Sequence, residues 1–207
     1  MKNIKSLLLI IISATMLLLY FYFENKIVEM KKTQSDLSEY TAKVQSKEEF
    51  YGLNFELNNK MTGIIAPNEA YIEEKEIKYL SELVNKRPRL IFRFTHKNCN
   101  TCYEDEIAVI QEEFKDCQEI VTILCSYFSQ DVFYTFKRQN RIKTNIYHIS
   151  FEAFDWDVEK YNVPYYFILH PDMKISHIHV PESDYPELNR QYLEGVKRFL
   201  SEHETEK

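Results

Sequence analysis

The stretch that decides the fold is Leu90-Ile91-Phe92-Arg93-Phe94-Thr95-His96-Lys97-Asn98-Cys99-Asn100-Thr101-Cys102. A strand pattern covers Arg89 to Thr95, that is, the residue before this stretch and its first six residues. A helical spacing of apolar residues then predicts a helix over Thr101 to Phe114. The two elements together place Cys99 at the N-terminus of a helix that follows a strand.

This placement gives the two cysteines different chemistry. Unpaired N–H groups and the positive end of the helix dipole stabilise a thiolate at Cys99, and this lowers its pKa from the ~8.5 of a free thiol. The two intervening residues allow the Cys102 sulfur to attack a mixed disulfide formed at Cys99. The spacing therefore predicts thiol–disulfide exchange, with Cys99 as the nucleophile and Cys102 as the resolving thiol.

A zinc half-site is the main alternative for this pair, because CxxC also occurs in tetrahedral metal sites. The sequence contains no second CxxC and no HxxxH, so we expect neither a metal nor a cofactor. Cys117 and Cys125 are interpreted as buried structural thiols. They are not expected to pair with each other, because an extended segment holds its ends beyond disulfide reach.

The region after Gly52 alternates between strand and helix patterns, which predicts an α/β domain. We expect strands at 53–57, 89–95, 119–125 and 145–149, and helices at 69–85, 101–114, 131–142, 156–161 and 187–201. Pro88 is expected to end the helix at 69–85. The chain should also contain a hairpin of 165–169 with 175–180, turning at His170-Pro171-Asp172-Met173.

The N-terminus has the features of a membrane anchor. Lys2 and Lys5 precede an uncharged apolar run from Leu7 to Phe23, close to the ~20 residues that a spanning helix needs. A cleavable signal peptide is the competing interpretation, but the run ends in bulky aromatic residues and not in small ones. No cysteine follows the run, which disfavours a lipoprotein. We therefore predict a signal anchor over residues 1–23.

The segment from 24 to 51 is polar, lacks Gly and Pro, and is rich in Glu, Lys, Gln and Ser. This composition predicts a solvated helical stalk, so the predicted organisation is an anchor at 1–23, a stalk at 24–51 and a domain at 52–207. The hydrophobic fraction of 44% supports a real core in that domain. A formal net charge of −6 with no long Lys/Arg run argues against nucleic acid as a partner.

At this point the chain resembles the thioredoxin superfamily, and specifically the membrane-tethered proteins of the TlpA and ResA type. The resemblance covers roughly Leu53 to Ser201. It rests on the strand, CxxC and helix, on Asn162-Val163-Pro164-Tyr165-Tyr166-Phe167-Ile168-Leu169, and on the turn that follows. It implies a thioredoxin-like α/β fold, with a central mixed sheet flanked by helices. It also implies a cis bond before Pro164, and a groove at Val163 and Pro164 where an extended substrate segment docks.

The resemblance further implies location and partners. The chain would be a single-pass protein of the cell inner membrane, with its C-terminal domain in the periplasm. Its partners would be protein thiols and disulfides, together with a membrane electron donor that the sequence does not reveal. Reduction is slightly preferred as the direction of exchange, because the resembled tethered proteins are mostly reducing.

Several positions depart from the family pattern. Asn98 replaces the usual aromatic residue, Asn100-Thr101 replaces Gly-Pro, and Arg93 replaces a buried acid that serves as a proton acceptor. Arg93 would favour thiolates if it points beneath the site, or it is a surface residue. His96 either stabilises the Cys99 thiolate or is a solvated loop residue. The acidic stretch Glu104-Asp105-Glu106 is interpreted as first-turn residues that complement the helix dipole.

These departures keep a second function open. In that alternative the domain is a redox-inert binding module, with Cys99 and Cys102 in a static disulfide and a groove that holds a partner. A peroxidase is disfavoured, because that chemistry normally uses one cysteine supported by Thr and Arg in a different loop.

Overall fold

The computed structural model describes residues 2–73, 76–84 and 86–202, and the side chains of residues 2–11, 72, 73 and 76 lie outside the description. The chain divides into two compact units, Met1–Tyr51 and Gly52–Lys207. Helix α1 is Lys2–Met61. Each unit is described by itself below.

In the first unit, the residues of the predicted stalk, 24–51, are helical. Surface ion pairs join residues three or four apart, as between Lys26 and Glu29 (2.8 Å). Within the described part of the chain, no helix is both long enough and apolar enough to cross a membrane. The predicted anchor at 1–23 begins among side chains outside the described range, and it stays a prediction.

The second unit is built around a mixed sheet. Its strands are β1 Ala70–Glu73, β2 Glu76–Tyr79, β3 Arg89–Thr95, β4 Val121–Ser126, β5 Ile146–Ile149, β6 Tyr165–Leu169 and β7 Ile175–His179. Within the described residues the strand order is β2-β1-β5-β4-β3-β6-β7. Strands β3, β4 and β5 are parallel, whereas β6 is antiparallel to β3, and β7 to β6. The remaining helices are α2 Leu80–Leu83, α3 Asn100–Glu113, α4 Gln130–Gln139 and α5 Pro186–Glu202.

Helices cover both faces of this sheet. Alternate strand residues point to opposite sides, so each strand contributes side chains to two cores. On one face the first core contains Ile91 and Phe167 of the sheet, Leu57 and Met61 of α1, and Leu80 of α2. On the other face the second core receives apolar side chains of α3, α4 and α5, among them Ile107, Phe133 and Leu193. The predicted α/β architecture, a mixed sheet flanked by helices, is confirmed.

Most of the predicted elements around the CxxC are also confirmed. β3 has the predicted bounds, and α3, β4, α4, β5 and the β6–β7 hairpin lie within a few residues of theirs. The predicted short helix near Trp156 is a 3₁₀ helix over Asp157–Tyr161. In each of these segments the apolar residues recur with the period of a strand or a helix. Such a period is needed to place apolar side chains in the cores on the two faces of the sheet.

The strand predicted at 53–57 is wrong, because these residues belong to α1. Leu57 and Met61, four residues apart, lie on one helical face and are each 1% exposed. The Asn54 amide pairs with the backbone of Val180, accepting from its N–H at 2.7 Å, and Asn58 accepts from the Ile178 N–H at 2.9 Å. The two amides thus satisfy the outer edge of β7, a role that the alternation of the sequence does not reveal.

The helix predicted at 69–85 is also wrong over most of its length, since β1 and β2 form an antiparallel hairpin there. β1 pairs with β5, and the Tyr71 ring lies 4.5 Å from that of Tyr147. This long-range pairing overrides the helical propensity of a Glu- and Lys-rich segment. Only Leu80–Leu83 is helical, with Leu80 and Leu83 buried.

Candidate active site

The loop between β3 and α3 is fixed by its own side chains. The Thr95 N–H donates to Oδ1 of Asn98 at 2.6 Å, and the Lys97 N–H donates to the Thr95 hydroxyl at 3.2 Å. Asn98 is 5% exposed, so it is a buried turn residue at the position where the resembled family usually has an aromatic residue. The turn-forming habit of Asn is the signal that reveals this role. The turn delivers Cys99 to the N-cap of α3.

The Cys99 sulfur is exposed and surrounded by donors. The Cys102 N–H donates to its Sγ at 3.3 Å, and the Thr101 hydroxyl lies 3.1 Å from the same sulfur. A hydrogen bond from the Cys102 thiol and a second from Thr101 lower the pKa of Cys99. Cys99 is therefore the thiol of the pair that more readily becomes a thiolate.

Cys102 has the opposite environment. Its thiol is partly buried, and burial, the hydrogen bond to Cys99 and the charge of Glu182 raise its pKa to about 11. At neutral pH Cys102 is thus a protonated donor to the Cys99 sulfur. The difference between the two thiols has the direction that a nucleophile and a resolving thiol require.

Arg93 lies inside the domain, so its interpretation as a surface residue is wrong. Its side chain is 0% exposed, and its Nε donates to Glu159 at 3.0 Å. Nη1 donates to the Ser126 hydroxyl at 2.7 Å, and the Tyr165 hydroxyl donates to the same Glu159 oxygen at 2.8 Å. The charge of Arg93 is therefore compensated by a carboxylate on the first-core face of the sheet.

Glu106 is also buried and lies beyond the first turn of α3, which corrects its interpretation as a first-turn residue. Oε2 accepts from the Tyr166 hydroxyl at 2.5 Å and Oε1 accepts from the Asn189 amide at 3.1 Å. Burial raises the pKa of Glu106. Cys102 and Glu106 are four residues apart on α3, so they share a helical face one turn apart. An acid near the CxxC is thus present, but it comes from α3 and not from β3.

His96 is not a solvated loop residue, and a role in stabilising the Cys99 thiolate stays a prediction. Its Nδ1 lies 3.2 Å from the carbonyl oxygen of Ser126, and its ring packs against Phe128 with centroids 3.6 Å apart. The centroid of the Phe151 ring lies 5.4 Å from that of the His96 ring. His96 therefore helps to hold an aromatic surface beside the CxxC loop.

The segment before β6 lies next to the CxxC loop, since the Asn162 amide donates to the carbonyl oxygen of Lys97 at 3.3 Å. Val163 is partly buried against the first core and Pro164 is buried. The expected cis bond at Pro164 is wrong, because the described residues contain no cis peptide bond. The chain turns instead at Asn162, which is left-handed with φ 55°. The bond before Pro164 is therefore trans, which is the form that X–Pro bonds prefer.

A depression of about 380 Å³ lies between this segment and the CxxC loop, and it is lined by Thr95, Lys97, Phe151, Glu152, Phe154, Asp155, Glu159 and Asn162. The Lys97 ammonium sits 3.9 Å above the Phe151 ring. The depression therefore combines an aromatic surface with charged side chains. One of its lining residues, Lys97, is two positions before Cys99 in the sequence.

The other two cysteines are not part of the CxxC, and no disulfide is present among the described residues. Cys125 is 0% exposed and donates to the Tyr147 carbonyl oxygen at 3.5 Å, and burial raises its pKa. Cys117 is partly buried and packs against the second core. Within the described residues, no group of three or more His, Cys, Asp or Glu side chains is arranged to hold a metal ion.

The observation that decides the fold family is the sheet around the CxxC. β3 lies between parallel β4 and antiparallel β6, β7 pairs with β6, and α3 starts at the CxxC, with Cys99 as its N-cap. The domain has a thioredoxin-like fold.

No family model matches the chain, and no curated relative matches it. Solved structures do match, among them the thioredoxin domain of a thiol-disulfide oxidoreductase from Bacteroides vulgatus. That match has 15% identity and a TM-score of 0.49, and covers 67% of this chain and 97% of that one. A thiol:disulfide interchange protein from Bacteroides sp. matches with 17% identity and a TM-score of 0.49, covering 68% and 90%. An uncharacterized thioredoxin-like protein from Porphyromonas gingivalis matches with 22% identity and a TM-score of 0.47, covering 64% and 92%.

Proposed function

We propose that this protein is a thiol–disulfide oxidoreductase that exchanges disulfides with protein substrates through Cys99 and Cys102. The observation that carries the proposal is the opposed environment of the two thiols. Hydrogen bonds to an exposed sulfur lower the pKa of Cys99, whereas burial and a neighbouring charge raise that of Cys102 to about 11. A static structural pair does not need such a difference.

The exchange follows from these roles. The Cys99 thiolate attacks a substrate disulfide, forms an S–S bond with one substrate sulfur and releases the other as a thiolate. Cys102 then loses its proton and attacks Cys99 Sγ, which breaks the mixed disulfide and releases the second substrate thiolate. The substrate is reduced by two electrons, and the Cys99–Cys102 pair is oxidised to a disulfide. Return to the dithiol requires an external dithiol donor.

The segment around Val163 and Pro164 is proposed as the place where the substrate chain docks. The hydrogen bond between Asn162 and the Lys97 carbonyl holds this segment beside the CxxC loop. The adjacent depression offers aromatic surface from Phe151 and Phe154. An extended substrate segment that crosses this surface would present its cysteine to the exposed Cys99 sulfur.

We further propose that the N-terminal segment anchors the protein in the inner membrane, with the domain of residues 52–207 in the periplasm. This rests on the uncharged apolar run from Leu7 to Phe23 and on the helical, polar segment that follows it. The external dithiol donor would then be a membrane protein.

The alternative is a redox-inert binding module, and one observation favours it. The strand position where the resembled family has a proton acceptor is Arg93, and its partner Glu159 is engaged by both Arg93 and Tyr165. Resolution of a mixed disulfide would be slow if no other group accepts the Cys102 proton.

Substitution of each cysteine distinguishes these functions. Cys102→Ser should accumulate a mixed disulfide with a protein substrate on Cys99, because the resolving thiol is missing, whereas Cys99→Ser should neither exchange nor trap. Non-reducing gels followed by mass spectrometry identify the adduct, and Cys117→Ala serves as a control that should exchange like the wild type. A wild type without exchange, or an adduct on Cys102, would favour the binding module.

A further inference from the structure

A second feature, separate from the redox pair, lies at the C-terminal end of α4. The chain carries a net charge of −6, yet four cations fall between residues 137 and 143: Lys137, Arg138, Arg141 and Lys143. Within the described part of the chain, none of the four forms an ion pair. We call these four residues the basic patch.

The basic patch surrounds a concave surface. A depression of about 650 Å³ is lined by its four cations together with Tyr134 and Ile142. Ile142 is buried, Tyr134 is half-buried, and Arg138, Arg141 and Lys143 are exposed. The site thus combines an apolar floor with a cationic rim, the composition of a recognition site for an anionic group attached to an apolar one.

The backbone conformation of Arg141 is a second observation at this site, and it is independent of the charges and of the concave shape. The Ile142 N–H donates to the Lys137 carbonyl at 3.2 Å and the Arg141 N–H donates to the Arg138 carbonyl at 3.2 Å, which together form a Schellman motif. Arg141 occupies the left-handed position of this motif with φ 48°, where glycine is usual. An arginine there costs about 1 kcal/mol relative to glycine.

The helix dipole explains only part of this arrangement. Lys137 and Arg138 lie in the last turn of α4, where cations are favourable. The dipole does not explain why a side chain occupies a left-handed position that glycine fills without strain. Strained positions of this kind are concentrated at functional sites.

The patch is remote from the redox pair. α4 begins after the carboxyl end of β4, which lies beside the end of β3 that leads to Cys99. The helix runs Gln130–Gln139, so at 1.5 Å per residue it carries the chain about 15 Å away. Lys143 then precedes β5, at the end of the parallel strands opposite to the end that leads to Cys99. The substrate of the CxxC would not cover this surface.

We propose that the basic patch binds an acidic segment of a partner polypeptide. The two guanidinium groups match carboxylates in a bidentate geometry, and the two lysines add charge around them. The floor of Tyr134 and Ile142 suits an apolar side chain next to those carboxylates. A planar membrane surface would not enter a concavity, and a free phosphate ion would leave the apolar floor unused.

The test uses the full-length chain in detergent and a labelled Glu-Glu-Phe-Glu-Glu peptide, with binding followed by fluorescence anisotropy. Wild type should bind saturably, and Arg141→Gly should weaken binding at least fivefold. Because glycine relieves the left-handed strain, the same variant should melt at an equal or higher temperature, so lost binding is not lost folding. Arg198→Gln, which removes one exposed cation from α5, should bind like wild type.

Three results would overturn the proposal. The first is a wild type that does not bind the peptide but does bind vesicles containing phosphatidylglycerol, which would identify a membrane surface. The second is equal weakening by Arg141→Gly and Arg198→Gln, which would indicate a general charge effect. The third is competition by inorganic phosphate as effective as that by unlabelled peptide, since the apolar floor would then contribute nothing.

Discussion

Two adjacent tyrosines of β6 each donate a hydrogen bond to a buried or half-buried carboxylate, but on opposite faces of the sheet. Tyr165 donates to Glu159 at 2.8 Å, and Tyr166 donates to Glu106 at 2.5 Å. Glu159 also pairs with the guanidinium of Arg93, whereas the second partner of Glu106 is the neutral amide of Asn189. One carboxylate has a fixed compensating charge, and the other has none.

This difference in charge compensation matters for Glu106, which lies on the same helix as Cys102. Burial without a cation raises the pKa of Glu106, and this acid shares a helical face with Cys102. Asn189 also accepts from the Glu182 N–H at 3.2 Å, which ties the same cluster to the charge that raises the pKa of Cys102. The buried acid that shares a helical face with Cys102, the proposed resolving thiol, lies on the α3 side of the sheet.

The largest expected effect comes from breaking the pair on the first face. Arg93→Met should lower the free energy of unfolding by about 3 kcal/mol, because it leaves the Glu159 carboxylate without its buried partner. The double variant Arg93→Met, Glu159→Gln should recover part of this loss. Urea denaturation measures both, and a change below about 0.5 kcal/mol in Arg93→Met would show that the pair contributes little.

A smaller effect, which depends on pH, is expected on the second face. A carboxyl whose pKa is raised by folding adds stability below its unfolded pKa, near 4.3, and loses that stability as the pH rises through the folded value. Glu106→Gln removes this dependence and keeps a group that can bond Asn189. The variant should therefore gain stability relative to wild type between pH 4 and pH 7. A difference that does not change with pH would exclude a raised pKa at Glu106.

The smallest effect concerns Cys99, the proposed nucleophile. Thr101→Val removes the hydroxyl 3.1 Å from the Cys99 sulfur, so the pH midpoint of Cys99 alkylation should move upward. Thr101→Ser keeps the hydroxyl and should behave like wild type. Equal midpoints for Val and Ser would mean that the Cys102 hydrogen bonds alone stabilise the thiolate.

The comparison also shows what the sequence could predict. The β3–CxxC–α3 unit and the β6–β7 hairpin were predictable, because their apolar periods match strands and helices in a two-sided sheet. The misassigned segments at 53–57 and 69–85 depend on distant partners, the edge of β7 and the strand β5. The burial of Glu106 depends on Tyr166 and Asn189, which lie far along the chain. Local patterns do not encode such partners.

The two thiols of the CxxC differ in the direction that exchange requires. Iodoacetamide labelling of the reduced full-length chain across pH, with each cysteine quantified by mass spectrometry, tests this difference directly. Cys99 should react with a midpoint below the ~8.5 of an ordinary thiol, and Cys102 should react only toward its pKa of about 11. Equal midpoints for the two cysteines, or a lower midpoint for Cys102, would show that the pair lacks the opposed environments on which the proposed exchange depends.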